Sequence, residues 1–313
     1  MEKQTIVLGS RGSKLALWQT NYVKGLLEAA APEYDYRVEV VHTKGDKILD
    51  VALSKIGDKG LFTKELEHAL LDGSVDLCVH SMKDMPTVLP EGLCIQGVPV
   101  RANAADALVT RGAVGSLLEL PAGARVATGS LRRTAQLKRL RPDIEPCEIR
   151  GNIDSRIRRI VEGEFDAGVL ACAGIERLGI PNVIAQVIST ADMIPAVGQG
   201  AIAIEVRSGD ERIAALCAAI THEPTMRAVR AERIVLRALE GGCQVPMGVH
   251  ARDIVDESGD VRMVMDGFVS SLDGVRFVRA HGECVPSDYE TMAQGMVDDL
   301  LAGGAGPILS ELR

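Results

Sequence analysis

Aromatic residues are scarce, with one Trp, four Tyr and four Phe making 3% of a 313-residue chain. An interior short of rings must be built from Val, Ile, Leu and Ala, and with hydrophobic residues at 46% that composition suits α/β layers. No run of about 18 apolar residues occurs, which excludes a membrane-spanning helix. The opening MEKQTIVLGSRGSK turns polar before any stretch of signal-peptide length, so a soluble, cytoplasmic protein is the expectation. The seven cysteines (78, 94, 147, 172, 217, 243 and 284) are odd in number and scattered, with no C-x-x-C pair. They read as reduced thiols and not as a disulfide framework. No G-x-x-x-x-G-K-S/T segment is present, which excludes a P-loop. Positive charge is short as well: a formal net charge of −8 argues against a nucleic-acid or membrane-surface binder.

What is present is an alternation of short aliphatic runs and helical patterns, in a chain long enough for two or three domains of about 100–150 residues. TIVLG (5–9) reads as a strand, and Leu15, Trp18, Tyr22 and Leu26 recur at helical spacing behind Ser13. RVEVVHT (37–43) is the next strand, and KGDKILDVALSKIGDKG, without a clean period, reads as a mobile loop. A helix over about 61–71 leads into DLCVHSMKD, a strand ending before Pro86. A second series starts near Asp106, with strands at ALVTR, ARVAT, EPCEIR and AGVLAC and helices at LRRTAQLKRL and SRIRRIVEG. Strands alternating with helices predict parallel, doubly wound sheets that bind ligands at the carboxyl ends of their strands. After AVGQGAIAIEVR, a helix over about 225–239, with Met226, Val229, Leu236 and Leu239 on one face, stops at Gly241-Gly242. QVPMGVHA, VRMVMDGFVS and RFVRAHGE, followed by a helix from about Tyr289, predict a small α+β domain with a three-stranded antiparallel sheet. The fold class is α/β: two doubly wound domains and this C-terminal one.

Between Arg125 and Arg177 stand eleven Lys or Arg against eight Asp or Glu, a positive stretch in an acidic protein. Arg11 sits in GSRGS, after a strand and at a helix start, where an anion is favoured. In ATGSLRRT, Thr128 and Ser130 end a strand, Ser130 is placed to cap the next helix, and Arg132 and Arg133 lie in its first turn. Two cations there oppose the helix dipole unless an anion lies between them. IRGNIDSR adds Arg150 and Arg156, and GIERLG adds Arg177. Guanidinium groups grip carboxylates bidentately, so this set suits a ligand with several carboxylates. HSMKDMP puts Ser81, Lys83 and Asp84 at a strand end, where a carboxylate beside a lysine stays ionised and can meet a cationic intermediate. Cys243, behind the two glycines of EGGCQVP, has the accessible setting of a nucleophile, while the other six cysteines fit buried small hydrophobes. His281 and Cys284 in HGEC supply two metal ligands without a third, so no metal site is expected. Each constellation has a plain alternative: Arg11 as a surface arginine, Asp84 as a turn residue before Pro86, the positive stretch as a solvated helix face.

Taken together, GSRGSKLALWQ, GDKGLFTKELE, VHSMKDMPT, TGSLRRTAQL, RGNIDSR, IPAVGQGA and EGGCQVPMG resemble, in the same order, the signature segments of the porphobilinogen deaminase family, over roughly residues 9–250. The last sixty or so residues resemble it mainly in size and pattern. The resemblance implies two domains similar to type II periplasmic binding proteins, hinged around an anion-binding cleft, with the chain crossing near residue 100 and returning near 200. Domain 1 is then 1–100 with 201–218, domain 2 is 101–200, and a cofactor-carrying domain 3 is 219–313. The implied reaction joins four porphobilinogen molecules head to tail with loss of ammonia and releases hydroxymethylbilane by hydrolysis. Growth occurs on a dipyrromethane cofactor held by a thioether at the position of Cys243. Asp84 matches the catalytic carboxylate, which would hold pyrrole N–H groups and stabilise a cationic azafulvene. Arg11, Arg132, Arg133, Arg150, Arg156 and Arg177 would offset the acetate and propionate charges. Ser13, Lys55, Lys59, Phe62, Ser81, Lys83, Thr128, Ser130, Gln199 and Gly200 match further positions around cofactor and substrate, with Lys55 and Lys59 making their loop a lid. The chain departs from the pattern at Gly129, where a serine is common, and at Asp58, where a glycine is frequent. A cytoplasmic monomer with a small-molecule substrate is implied. Two other classes compete. A non-enzymatic two-lobed binder of a small organic anion explains the arginines but not EGGC or the third domain. A regulatory effector-binding domain would need a DNA-binding segment, and no basic motif of that kind is present.

Overall fold

TIVLGS forms strand β1 (Thr5–Ser10), with Ile6 and Leu8 fully buried. Ser13 then opens helix α1 (Lys14–Ala30), its hydroxyl accepting the Ala16 N–H at 3.2 Å. The helix buries Gln19, Thr20, Val23 and Leu27, one residue round from the expected stripe. Trp18 and Tyr22 stack on each other at 5.4 Å, and Trp18 is exposed. The inward residues win because two of them have polar partners below: Thr20 Oγ1 donates to Ser10 Oγ and Gln19 Nε2 to Ser81 Oγ, both at 2.9 Å.

The computed structural model describes residues 3–43, 63–112, 114–240 and 245–312. After β2 (Asp35–Val40), α2 (Lys64–Leu71) leads to β3 (Leu77–Ser81), a 3-10 turn over Met82–Asp84 and β4 (Leu93–Gly97). Next come β5 (Asp106–Thr110), β6 (Arg125–Ala127), α3 (Leu131–Leu140), β7 (Glu145–Cys147) and α4 (Ile153–Val161). They are followed by β8 (Ala167–Ala171), α5 (Cys172–Arg177), β9 (Ile184–Ile188), β10 (Ile202–Arg207), α6 (Glu211–Ala219) and α7 (Glu223–Ala238). β11 (Met247–Val255), β12 (Val261–Ser270), β13 (Phe277–Cys284), α8 (Tyr289–Ala302) and α9 (Ala305–Glu311) complete the described elements.

One sheet has the order β2-β1-β3-β10-β4, and a second repeats the plan as β7-β6-β8-β5-β9. In the first, β1 runs parallel to β2 and β3, while β10 is antiparallel to both its neighbours. In the second, β6 runs parallel to β7 and β8, while β5 is antiparallel to β8 and β9. The expectation of wholly parallel sheets is thereby corrected, since each sheet carries one reversed strand. A helical crossover is what brings neighbouring strands parallel, and both β5 and β10 are reached by segments without an α-helix. The reversal matters for function, because the first residues of β10 and β5 reach the edge where their antiparallel neighbours β3 and β8 end: Ile202 lies opposite Ser81, and Asp106 opposite Ala171.

The chain divides into two compact units, residues 1–102 with 200–226 and residues 103–199 with 227–313. In the first, Val23 and Leu27 of α1 pack with Val79 and Ile204 on one face of the sheet, and Leu66 and Leu70 of α2 pack with Cys78 on the other. The second unit holds the β5–β9 sheet between two aliphatic cores and, separately, the antiparallel sheet β11-β12-β13. Met263, Met265 and Val269 of that small sheet pack against Met292, Met296 and Leu300 of α8. Within this unit, fully buried Glu232 accepts the N–H groups of Gly198 at 2.6 Å and Ala251 at 2.9 Å, tying the segment before Gln199 to β11.

Candidate active site

In the first unit, three sequence-selected segments gather at one edge of one sheet. β1 and β3 are parallel neighbours, so Arg11 and Ser13 after β1 emerge beside Ser81, Lys83 and Asp84 at the end of β3. Gly200, just before β10, reaches the same edge with a positive φ of 84° that favours glycine. The β3 end is held firmly: the Gln19 side chain grips Ser81, Met82 N donates to Ala201 O at 3.0 Å, and Met85 N closes the turn on Met82 O at 3.1 Å. Lys83 and Asp84 project from that turn and are exposed.

The carboxyl edge of the second sheet gathers Thr128, Ser130, Arg132 and Arg133 after β6, Arg150 after β7, and Arg177 at the end of α5 behind β8. Ser130 stands at the cap position of α3, yet its hydroxyl makes no capping bond, and its own N–H donates to Thr128 Oγ1 at 3.3 Å. At Gly129, where the resemblance leads to the expectation of a serine, a Cβ would stand 2.9 Å from the backbone oxygen of Ile149. Arg150 pairs with exposed Glu148, and Arg156 Nε donates to Gly151 O at 2.7 Å. His281, weighed above as half of a metal pair, places Nδ1 3.0 Å from Asp266 Oδ1 instead.

Arg132 and Arg133 are 4% and 5% exposed, far more buried than an open arginine patch would be. The anion that their position demands is supplied by the protein itself. Asp106, fully buried at the reversed start of β5, places Oδ2 2.8 Å from Arg132 Nη1 and Oδ1 within 2.8–3.0 Å of Arg133 Nη2 and Nε. Gln199 completes the group, its Nε2 donating to Asp106 Oδ1 at 2.9 Å and to Ala104 O at 2.7 Å. Burial alone would raise the Asp106 pKa, but the two guanidinium charges and their hydrogen bonds outweigh it and hold the carboxyl well below the usual range. For Arg132 burial dominates and lowers the pKa, with Asp106 opposing and Arg133 reinforcing; a guanidinium nonetheless stays charged. Two cations against one carboxylate leave one positive charge in excess in a dry setting. Sequence reasoning missed Asp106, although a single acid opening the apolar run ADALVT was a usable signal.

Asp106→Asn therefore removes the only formal counter-charge within the buried Asp106–Arg132–Arg133–Gln199 group. Breaking a buried pair in this way costs about 3–5 kcal/mol, which thermal unfolding reads as a fall in Tm on the order of 10 °C. The sign of the pH effect follows from the lowered pKa. The Asp106 contribution is fully present above the unfolded-state value of about 4 and is lost as pH falls below it, so that part of the acid destabilisation is absent in the variant.

Lys55, Lys59, Phe62, Asp58 and Cys243 lie outside the described residues. Of the other cysteines, Cys78, Cys172 and Cys217 are buried, while Cys94, Cys147 and Cys284 are only half-buried, short of the burial expected for all six. Burial pushes the Cys172 and Cys217 thiols up to about 12. Among the described residues no helix is long and apolar enough to cross a membrane.

Residues 6–215 match the family model described as porphobilinogen deaminase, dipyromethane cofactor binding domain, and residues 226–300 match its C-terminal domain. The chain belongs to the porphobilinogen deaminase family. It is 51% identical to the porphobilinogen deaminase of Moorella thermoacetica over 98% of this chain and 96% of that one. It is 46% identical to that of Carboxydothermus hydrogenoformans, over 99% and 98% of the two chains. For Syntrophobacter fumaroxidans the figure is 47%, over 100% and 99%. Two solved structures are similar at a distance. One is the Bordetella pertussis BvgS periplasmic VFT2 domain, at 16% identity and TM-score 0.41 over 69% of this chain and 86% of that one. The other is the periplasmic aliphatic sulphonate binding protein SsuA from Escherichia coli, at 16% and 0.41 over 76% and 71%. Likenesses this loose do not speak to ligand or chemistry.

Proposed function

We propose that this chain is a hydroxymethylbilane synthase, a transferase that joins four porphobilinogen molecules and releases the linear tetrapyrrole for heme-type biosynthesis. The observation that carries the reading is the carboxyl edge of the second sheet, where two buried guanidinium groups share one carboxylate and retain one positive charge in excess. A dipyrromethane bears acetate and propionate groups, and a site with surplus fixed guanidinium charge fits such a group. When bound through Cys243 it supplies the pyrrole terminus on which growth begins.

The chain's own residues hold and orient. Arg11, Arg132, Arg133, Arg150, Arg156 and Arg177 offset carboxylates of the growing ligand, each modestly where solvent screens them and more strongly when bidentate. Ser13, Lys55, Lys59, Phe62, Ser81, Lys83, Thr128, Ser130, Gln199 and Gly200 bind around the same ligand. Asp84, on its short turn, accepts pyrrole N–H groups and stabilises the positive charge that develops as ammonia departs. Each incoming porphobilinogen gives up its amino group as ammonia while its methylene carbon bonds to the free α-carbon of the terminal pyrrole already in place, which loses its proton. Water then frees the product. In this reading residues 101–200 and 219–313 act as separate domains, in keeping with their separate sheets and cores. The enzyme works as a cytoplasmic monomer, without nucleic-acid or membrane partners.

Purified protein supplied with porphobilinogen should release one ammonia per molecule consumed and form hydroxymethylbilane, read by its cyclisation to a uroporphyrin chromophore after oxidation. Stoichiometric binding of porphobilinogen with no ammonia release contradicts the proposal and favours an anion-binding protein.

A further inference from the structure

Behind the turn that carries Asp84 lies a group of ionisable side chains that the chemistry above does not use. His80 is 6% exposed and Glu205 fully buried, with His80 Nε2 3.0 Å from Glu205 Oε2. They stand on neighbouring antiparallel strands, Ala203 facing His80 and Glu205 facing Cys78, so alternation puts His80, Glu205 and Cys78 on one face of the sheet. α2 covers that face and adds Glu67, itself buried, whose carboxyl pKa is raised chiefly by desolvation and further by Glu205, against the opposing influence of the Thr63 hydroxyl and His80. Among the described residues, His68 on α2 also acts on Glu67, and Arg207 at the end of β10 acts on the neighbouring Cys78.

The arrangement is costly for mere stability. His80 and Glu205 meet at ion-pair distance, but neither Glu205 oxygen nor His80 Nε2 has a well-aligned hydrogen bond among the described residues. Buried ion pairs replaced by well-packed apolar residues commonly leave a protein as stable or more stable, so stability alone does not account for keeping one. Position accounts for it better. His80 is the residue before Ser81, at the last rungs of β3 on β10, and the chain turns into Met82–Asp84 directly afterwards. Gln19 holds this strand end from the α1 side, and Ala201 O holds it within the sheet. The His80–Glu205 contact is the clamp on the remaining side.

We propose that His80 and Glu205 are positioning residues, fixing the end of β3 against β10 so that Asp84 is held in its reacting position. The inference rests on Asp84 being the catalytic carboxylate. A shift of about 1 Å at a reacting group can cost on the order of 100-fold in rate, so the expected signature is in kcat and not in binding. The test is the double variant His80→Phe with Glu205→Leu, in holoenzyme checked by intact mass, with Asp84→Asn measured beside it. The double variant should keep its Tm and its cofactor adduct, show kcat reduced about 10–100-fold, and change KM by less than about 2-fold. Wild-type kcat in the double variant overturns the inference, whatever its Tm. If that variant does not fold, Glu205→Gln, which preserves shape while removing the charge, is read by the same criterion. An inactive Asp84→Asn beside a fully active double variant sinks the positioning role alone, whereas an active Asp84→Asn sinks the assignment of Asp84 and the positioning role with it.

Discussion

Asp84→Asn lowers turnover by about 10²–10⁴-fold, the range that a positioned acid–base group contributes, and leaves the cofactor on the chain. The substitution keeps the size and shape of the side chain and removes only its negative charge. The bonds that build the turn are main-chain contacts, Met82 N to Ala201 O and Met85 N to Met82 O, and neither involves the carboxylate. Asp84 is exposed, so its loss should change stability by no more than about 0.5 kcal/mol. The contrast with Asp106→Asn is informative. There an equally conservative change strikes a fully buried carboxylate between two guanidinium groups, and the loss appears in stability. The assay is product formation by purified Asp84→Asn, with Tm and intact mass measured on the same sample. Near-normal product formation refutes the catalytic role.

Cys243→Ser has the second large effect: activity falls below detection because the primer has no tether. A serine hydroxyl is a far weaker nucleophile than a thiol near neutral pH, so the oxygen does not take over. The three buried cysteines are not placed to substitute. With thiols pushed up to about 12 by burial, Cys172 and Cys217 are ionised to only about one part in 10⁵ at pH 7. Cys78 is fully buried and its thiol is raised well above its ordinary value, first by burial and then by Glu205 and Glu67. Replacing any of these three by serine should leave the adduct intact, at most with some loss of stability.

Much of the fold was legible because aliphatic runs and helical periods are local signals. Strand β1, helix α7 and the three strands of the antiparallel sheet lie within a few residues of where their patterns put them. The direction of β5 and β10 was not legible. Strands buried on both faces are largely apolar runs, as in ALV and AIAI, and such a run reads the same in either direction. The buried face of α1 was misread for a related reason. Hydrophobicity favours Trp18 and Tyr22, but the partners that bury Gln19 and Thr20 are Ser81 and Ser10 on other strands. At the site, the conflict of two arginines in the first turn of α3 was visible in RR, and its resolution was not, since Asp106 comes from another strand and is buried completely. Long-range pairing decides such cases, and one sequence carries no direct trace of it.

The central claim, a primer held covalently at Cys243, is tested most directly by intact mass of the purified chain. Wild type should carry the mass of a dipyrromethane in addition to the polypeptide, and Cys243→Ser should carry none. An unmodified wild type that turns over porphobilinogen at full rate would contradict the account.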